Sequence, residues 1–179
     1  MIQSGKSGNN RHANKILLLS VLAGTFPLLL IYCLYLINPD SPFLNYIFNS
    51  TLDIPSVTSS FSPVMTRVMD MYSKNEPFFA ILIFLFLFRN RKTGTVADKE
   101  KLITACIFSP FIYAFYVYYF LWNNFELTTA GRPVRLLAEN NLGLLFFYIC
   151  LYYASLLLTY IMCYQPVLVY RLWKERQSQ

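Results

Sequence analysis

Histidine is the side chain best suited to moving a proton near neutral pH, and this 179-residue chain has one, His12, in a polar stretch ahead of its first apolar run. No Ser-His-Asp or Cys-His arrangement can be built around it, and no G-x-S-x-G, Walker A or G-x-G-x-x-G sequence occurs. Cys33, Cys106, Cys150 and Cys163 each lie inside an apolar run, none in a C-x-x-C pair. A disulfide framework or a zinc site calls for clustered cysteines in polar surroundings, so these four read as small apolar residues of helices. What remains is chemistry of recognition rather than reaction. Of Arg67, Asp70, Lys74 and Glu76, the first two are three residues apart and Asp70 and Lys74 four, spacings that let opposite charges pair along one helical face. Glu126, Arg132 and Arg135 flank a Gly131-Arg132-Pro133 turn. Tyr148, Tyr152, Ser155 and Thr159 form a weakly polar stripe at helical spacing. The expectation is a protein that is not an enzyme, with no catalytic residue, no metal and no cofactor.

The elements that carry these residues are membrane elements. The chain is 56% hydrophobic and 18% aromatic but only 13% charged, against roughly 25% charged in soluble domains. Its mean hydropathy is +0.42. So little polar surface cannot cover a soluble globule, and much of the exterior must face lipid. The net charge of +6 lies between long apolar runs, which points to bilayer orientation rather than to nucleic acid.

Four spans are expected, at about 16–37, 65–88, 102–122 and 142–167, in one all-α bundle without β-sheet, flanked by tails 1–15 and 171–179. Ile16–Ile37 has no charge and is long enough to cross a core of roughly 30 Å. It exceeds a signal-peptide core and is followed by no clear cleavage site, so it reads as a retained anchor. Ser20 and Gly24 give it a small-xxx-small face for close helix approach. Pro77–Phe88 is too short to span unaided. The second span is therefore expected as one long helix from about Pro63, its first half amphipathic at or above the interface. Met65, Val68, Met69 and Tyr72 form the apolar side of that half. Leu102–Trp122 and Leu142–Val169 are again free of charge, with Pro110 and Pro166 inside them. Uncharged first, third and fourth spans count against an ion-coupled transporter.

Lys and Arg set the orientation. Lys6, Arg11 and Lys15 precede span one, Arg89, Arg91, Lys92, Lys99 and Lys101 follow span two, and Arg171, Lys174 and Arg176 follow span four. The two remaining loops hold only Arg67, Lys74, Arg132 and Arg135. The basic side is cytoplasmic, so both termini are expected inside and the Asn38–Ser62 and Asn123–Asn141 loops outside. Tyr118, Tyr119 and Trp122 would anchor the outer end of span three, and Tyr170 and Trp173 the inner end of span four. Asn49-Ser50-Thr51 matches the glycosylation tripeptide, a pattern common by chance. The Tyr148–Thr159 stripe has two readings: packing and hydrogen bonding inside the bundle, or meeting a partner helix within the membrane.

At the outer loops the chain resembles a known family. Ser62-Pro63-Val64-Met65-Thr66-Arg67-Val68-Met69-Asp70 and Phe125-Glu126-Leu127-Thr128-Thr129-Ala130-Gly131-Arg132-Pro133-Val134-Arg135-Leu136 look like segments of the immunity proteins against pore-forming colicins of the colicin A type. The likeness extends to length and four-span layout. It implies a plasmid-type bacteriocin immunity protein in the bacterial inner membrane. Such a protein binds the toxin's C-terminal channel domain, its hydrophobic hairpin above all, and prevents an open channel. The resemblance brings no catalytic or ligand residues. Partner-binding candidates are therefore positional: Arg67, Asp70, Glu126, Arg132, Arg135, Tyr148 and Tyr152. For the charged members the alternative is an Arg–Glu clamp closing the outer face of the bundle. Competing functions are an assembly subunit of a membrane complex and, further off, a small transporter subunit.

Overall fold

The computed structural model describes residues 7–88 and 99–177. Helix α1 (Ser7–Ile37) is followed by a short α2 (Pro42–Ser50), strand β1 (Val57–Thr58), α3 (Pro63–Lys74) and α4 (Glu76–Phe88). Then come α5 (Lys99–Tyr116) with a π-helical extension over Val117–Trp122, strand β2 (Phe125–Glu126), a 3-10 turn at Leu127–Thr129, α6 (Arg132–Ala138) and α7 (Asn141–Gln177). Among the described residues, four stretches are long and apolar enough to cross a membrane: Asn14–Ile37, Pro63–Phe88, Leu102–Trp122 and Asn141–Tyr170. The helices run on into both expected tails, since α1 begins at Ser7 and α7 ends at Gln177. Most of the expected basic loop, residues 89–98, lies outside the described residues.

Proline decides where several helices begin. It occupies the first turn of α2, α3 and α6, where its missing N–H costs nothing and its fixed φ favours the helix. Within the spans proline removes a rung instead. At Pro110 the loss is partly made good, because the Ser109 hydroxyl reaches the Cys106 carbonyl (3.4 Å) that a residue with an N–H at 110 would have served. The expected long second helix is interrupted at Asn75, where the chain tightens and the Asn75 N–H bonds to the Tyr72 carbonyl (3.1 Å). Pro77 is the cause, lacking a donor and crowding the residue before it.

The core lies around α7, which packs against α1, α3, α4, α5 and α6. Half of its most apolar window is buried, against 6% for Leu102–Trp122. Leu144, Tyr148 and Leu156 of α7 meet Leu28 of α1 and Met65 and Met69 of α3 in one core. Outward, α1, α4 and α5 present Phe26, Phe78, Leu82, Phe86, Phe111 and Phe115. A surface this apolar fits hydrocarbon and not water.

Two expectations about the second span and the loops are overturned. The charges of the second span do not line a solvated face: Asp70 of α3 and Glu76 at the start of α4 are fully buried, along with Thr66 and Ser73, as are Met65, Val68 and Met69. The helix is enclosed on nearly all sides. The sheet-free expectation also fails, because β1 and β2 pair in parallel with Val57 opposite Phe125 and Thr58 opposite Glu126. Two-residue strands carry no alternation by which they could be read. They are joined where the Phe125 N–H donates to the carbonyl of the buried Ser56 (3.1 Å), since buried peptide groups must find partners.

Candidate functional site

The loops 38–62 and 123–140 fold together into a cap over one end of the bundle, and most of the charged candidates are built into it. Arg67, projecting from α3, spreads its guanidinium over the segment that follows α2. Nε donates to the Thr51 carbonyl (3.2 Å) and hydroxyl (3.3 Å), Nη1 to Ser56 Oγ (3.0 Å), and Nη2 to the Ile54 carbonyl (2.9 Å) and again to the Thr51 carbonyl. The same group lies 5.8 Å from the centre of the Phe48 ring, a cation–π distance. One side chain thus holds the C-cap residue of α2, Thr51, and fixes the chain leading to β1. Arg67 is turned to this loop, while the expected pairing along α3 is made by Asp70 and Lys74 (2.9 Å). Lys74 Nζ also donates to the Pro55 carbonyl, and Asp70 Oδ2 accepts from the Val57 N–H (3.2 Å).

Across the cap, Glu126 works in the same way. Its Oε1 accepts from the Ser60 N–H (2.8 Å), the Thr128 N–H (3.3 Å) and the Thr128 hydroxyl (2.9 Å). Asn124 Oδ1 takes the Ser56 N–H (2.8 Å), and the Ser59 hydroxyl donates to the Ala138 carbonyl (2.9 Å). Ser62 Oγ donates to Asn141 Oδ1 (2.6 Å) and so fastens the start of α3 to the start of α7. The Tyr148 hydroxyl rises from α7 to the Val57 carbonyl (2.6 Å). The hydroxyl-rich segment 55–62 is therefore the hub on which α2, α3, α6, α7 and β2 converge.

The seven sequence candidates divide. Arg67, Asp70, Glu126 and Tyr148 meet around this hub. Tyr152 sits further along α7, stacked on Tyr72 (ring centres 5.8 Å apart, planes 10° apart). The Tyr72 hydroxyl donates to the Gly24 carbonyl (2.6 Å), and a Cβ at Gly24 would overlap the Tyr152 hydroxyl. Here the close approach foreseen for Gly24 takes place, with an aromatic ring filling the space. Arg132 and Arg135 stand apart on the exposed side of α6. Arg135 pairs with Glu139 (3.8 Å) inside its own helix and not with Glu126, so the outer-face clamp is made of carboxylate-to-amide and guanidinium-to-carbonyl bonds rather than an Arg–Glu bridge. Of the two readings of the Tyr148–Thr159 stripe, packing holds here: all four residues are buried, and Thr159 donates to the Tyr113 hydroxyl (3.2 Å).

Sequence reasoning missed Ser56, Ser59, Thr66, Asn124 and Asn141. The signal that could have found them was the run of hydroxyls between Pro55 and Pro63, too rich for a plain connector and too polar to be buried without partners. Among the described residues no group of three or more His, Cys, Asp or Glu side chains could hold a metal ion.

The chain has clear relatives. A family model described as colicin immunity protein matches residues 40–177. The colicin A immunity protein of Citrobacter freundii is 46% identical over 169 residues, covering 94% of this chain and 95% of that protein. The colicin B immunity protein of Escherichia coli is 36% identical over 168 residues, covering 94% and 96%. No solved structure matches.

Proposed function

This chain belongs to the colicin immunity protein family, and from that membership we propose that it protects its bacterial host by binding a pore-forming colicin in the inner membrane and holding the channel closed. The observation that carries this reading is the 46% identity to a colicin A immunity protein across 94% of the chain. The four apolar spans fit it, since a protein meant to meet a toxin in the bilayer must itself live there. The distribution of Lys and Arg supports an arrangement with both termini in the cytoplasm and the cap outside, where it would meet an incoming toxin.

The action is binding, not chemistry. A partner shifts a two-state equilibrium only by preferring one state, and taking a channel from 99:1 open to 1:99 needs roughly 5.5 kcal/mol of preference. Helix packing against the toxin's channel domain and its hydrophobic hairpin supplies energy on that scale. Of the seven candidates, Arg132 and Arg135 are presented for direct contact on α6. Arg67, Asp70, Glu126, Tyr148 and Tyr152 serve recognition by holding the cap and the α1–α7 packing in one shape.

The test is protection. Sensitive bacteria expressing this chain are challenged with colicin A, colicin B, another pore-forming colicin and a nuclease colicin. Survival against one or both of the first two, with sensitivity to the nuclease toxin retained, is the expected result. Killing by every toxin, with the protein present in the inner membrane, overturns the proposal.

A further inference from the structure

Below the cap the bundle has a polar interior. Thr66, Asp70, Ser73 and Glu76 share one face of α3 and the start of α4. They look across at Tyr148, Tyr152, Ser155 and Thr159 of α7, and every one of these eight residues is at most 2% exposed. At the upper end this seam is satisfied within the protein, by Tyr148 on Val57, Asp70 Oδ2 on Lys74 and Thr66 Oγ1 on the Ser62 carbonyl (2.8 Å). Further down it is satisfied by Thr159 on Tyr113. Between these rungs it is not. Asp70 Oδ1, Ser73 Oγ, both carboxylate oxygens of Glu76 and Ser155 Oγ make no hydrogen bond with any described residue. Ser155 lies against the Glu76 carboxyl and the Tyr116 side chain, close enough to interact and not placed for a direct hydrogen bond to Glu76.

The composition of this gap defines what fits it. The two serine hydroxyls can donate or accept, whereas the three carboxylate oxygens, when ionised, can only accept. The cluster is short of donors. Asp70 already has its cation in Lys74 (2.9 Å), and Arg67 is turned to the loop after α2. A neutral species with two donors and an acceptor fits the remaining oxygens and hydroxyls, and it must be small enough to sit between packed helices. We propose that Glu76, Asp70, Ser73 and Ser155 enclose a binding site for internal water, about one or two molecules, which joins the second and fourth spans where α3 gives way to α4. Each water gives its two protons to carboxylate oxygens and accepts from a serine, so buried groups that would otherwise each cost several kcal/mol in a low-dielectric interior are satisfied. The site is independent of the toxin-binding reading and stands or falls without it.

Infrared spectroscopy of the full chain in lipid nanodiscs, in ordinary and oxygen-18 water, tests it. The expected result is an ionised carboxylate band assigned to Glu76 by its loss in Glu76→Gln, and at least one isotope-shifted water band displaced in both Glu76→Gln and Ser155→Ala. Both changes are mild, so folded protein is available for comparison. A protonated-acid band at Glu76 with no isotope-sensitive water overturns the proposal, because a proton then satisfies the cluster. A rise in Tm with sodium chloride over choline chloride that Glu76→Gln abolishes also overturns it, in favour of a bound cation.

Discussion

At the level of single residues, the cap depends on the shape of its charged groups as much as on their sign. Arg67 serves four acceptors on Thr51, Ile54 and Ser56 from one planar fork, which the point charge of a lysine does not reproduce. Arg67→Lys is expected to raise amide exchange across residues 54–57 by about 10- to 100-fold, corresponding to roughly 1.5–3 kcal/mol of lost charged hydrogen bonding. Exchange in the α7 core stays unchanged, and hydrogen–deuterium exchange by mass spectrometry reads both. Asp70→Ala leaves Lys74 without its buried partner and Val57 without its acceptor. A loss of about 3–5 kcal/mol in mixed-micelle unfolding is expected, with part recovered in Asp70→Ala/Lys74→Met. At Gly24 the space belongs to the Tyr152 hydroxyl. Gly24→Ala is expected to cost about 1–3 kcal/mol by overpacking. Adding Tyr152→Phe removes the oxygen but leaves the ring Cζ 2.6 Å from the new Cβ, so it is expected to restore only part of that loss in the same unfolding measurement.

At the level of elements, short pieces of structure join long ones. β1 and β2 are two residues each, too short to be stable alone, and they hold because side chains clamp both ends. Asn124 takes the Ser56 amide at one end and Glu126 the Ser60 amide at the other. Glu126→Ala is expected to speed exchange at Ser60 and Thr128 while the Ser56 amide remains protected. Equal loss of protection at all three would mean that the strands melt as one unit. The break at Asn75 follows the same logic of local cause: Pro77 ends α3 and turns Glu76 inward, so the polar face of α3 continues into the apolar α4.

At the level of the whole molecule, α7 is the post on which the other spans lean, and the cap ties the spans together at one end. The loops of that end carry few basic residues, so in a membrane it is expected to face outward. Single cysteines at Asp53 and Arg132, both exposed in the cap, in a chain whose four native cysteines are replaced, should react with an impermeant thiol reagent on intact spheroplasts. A cysteine at Lys174 should react only after permeabilisation. The reverse pattern would invert the orientation and put the cap beyond the reach of a toxin arriving from outside.

Four spans, their approximate limits, the central place of small residues at Gly24 and the family were legible in the sequence, because hydrophobic length is counted along the chain and charge-free runs of 20 residues have few other uses. The likeness over residues 62–70 and 125–136 was local text as well. What only the tertiary structure decided is where polar side chains point. Asp70 and Glu76 look like a solvated helix face when read by spacing, and become interior groups because α7 and the cap cover that face. Arg67 is three residues from Asp70 yet reaches back to Thr51, since the carbonyls at the end of α2 lie nearer in space than along the chain. The pairing of Val57 with Phe125 joins residues 68 apart. Nothing local specifies such a partner, which is selected by the need of buried backbone groups for hydrogen bonds once the helices have brought the two loops together.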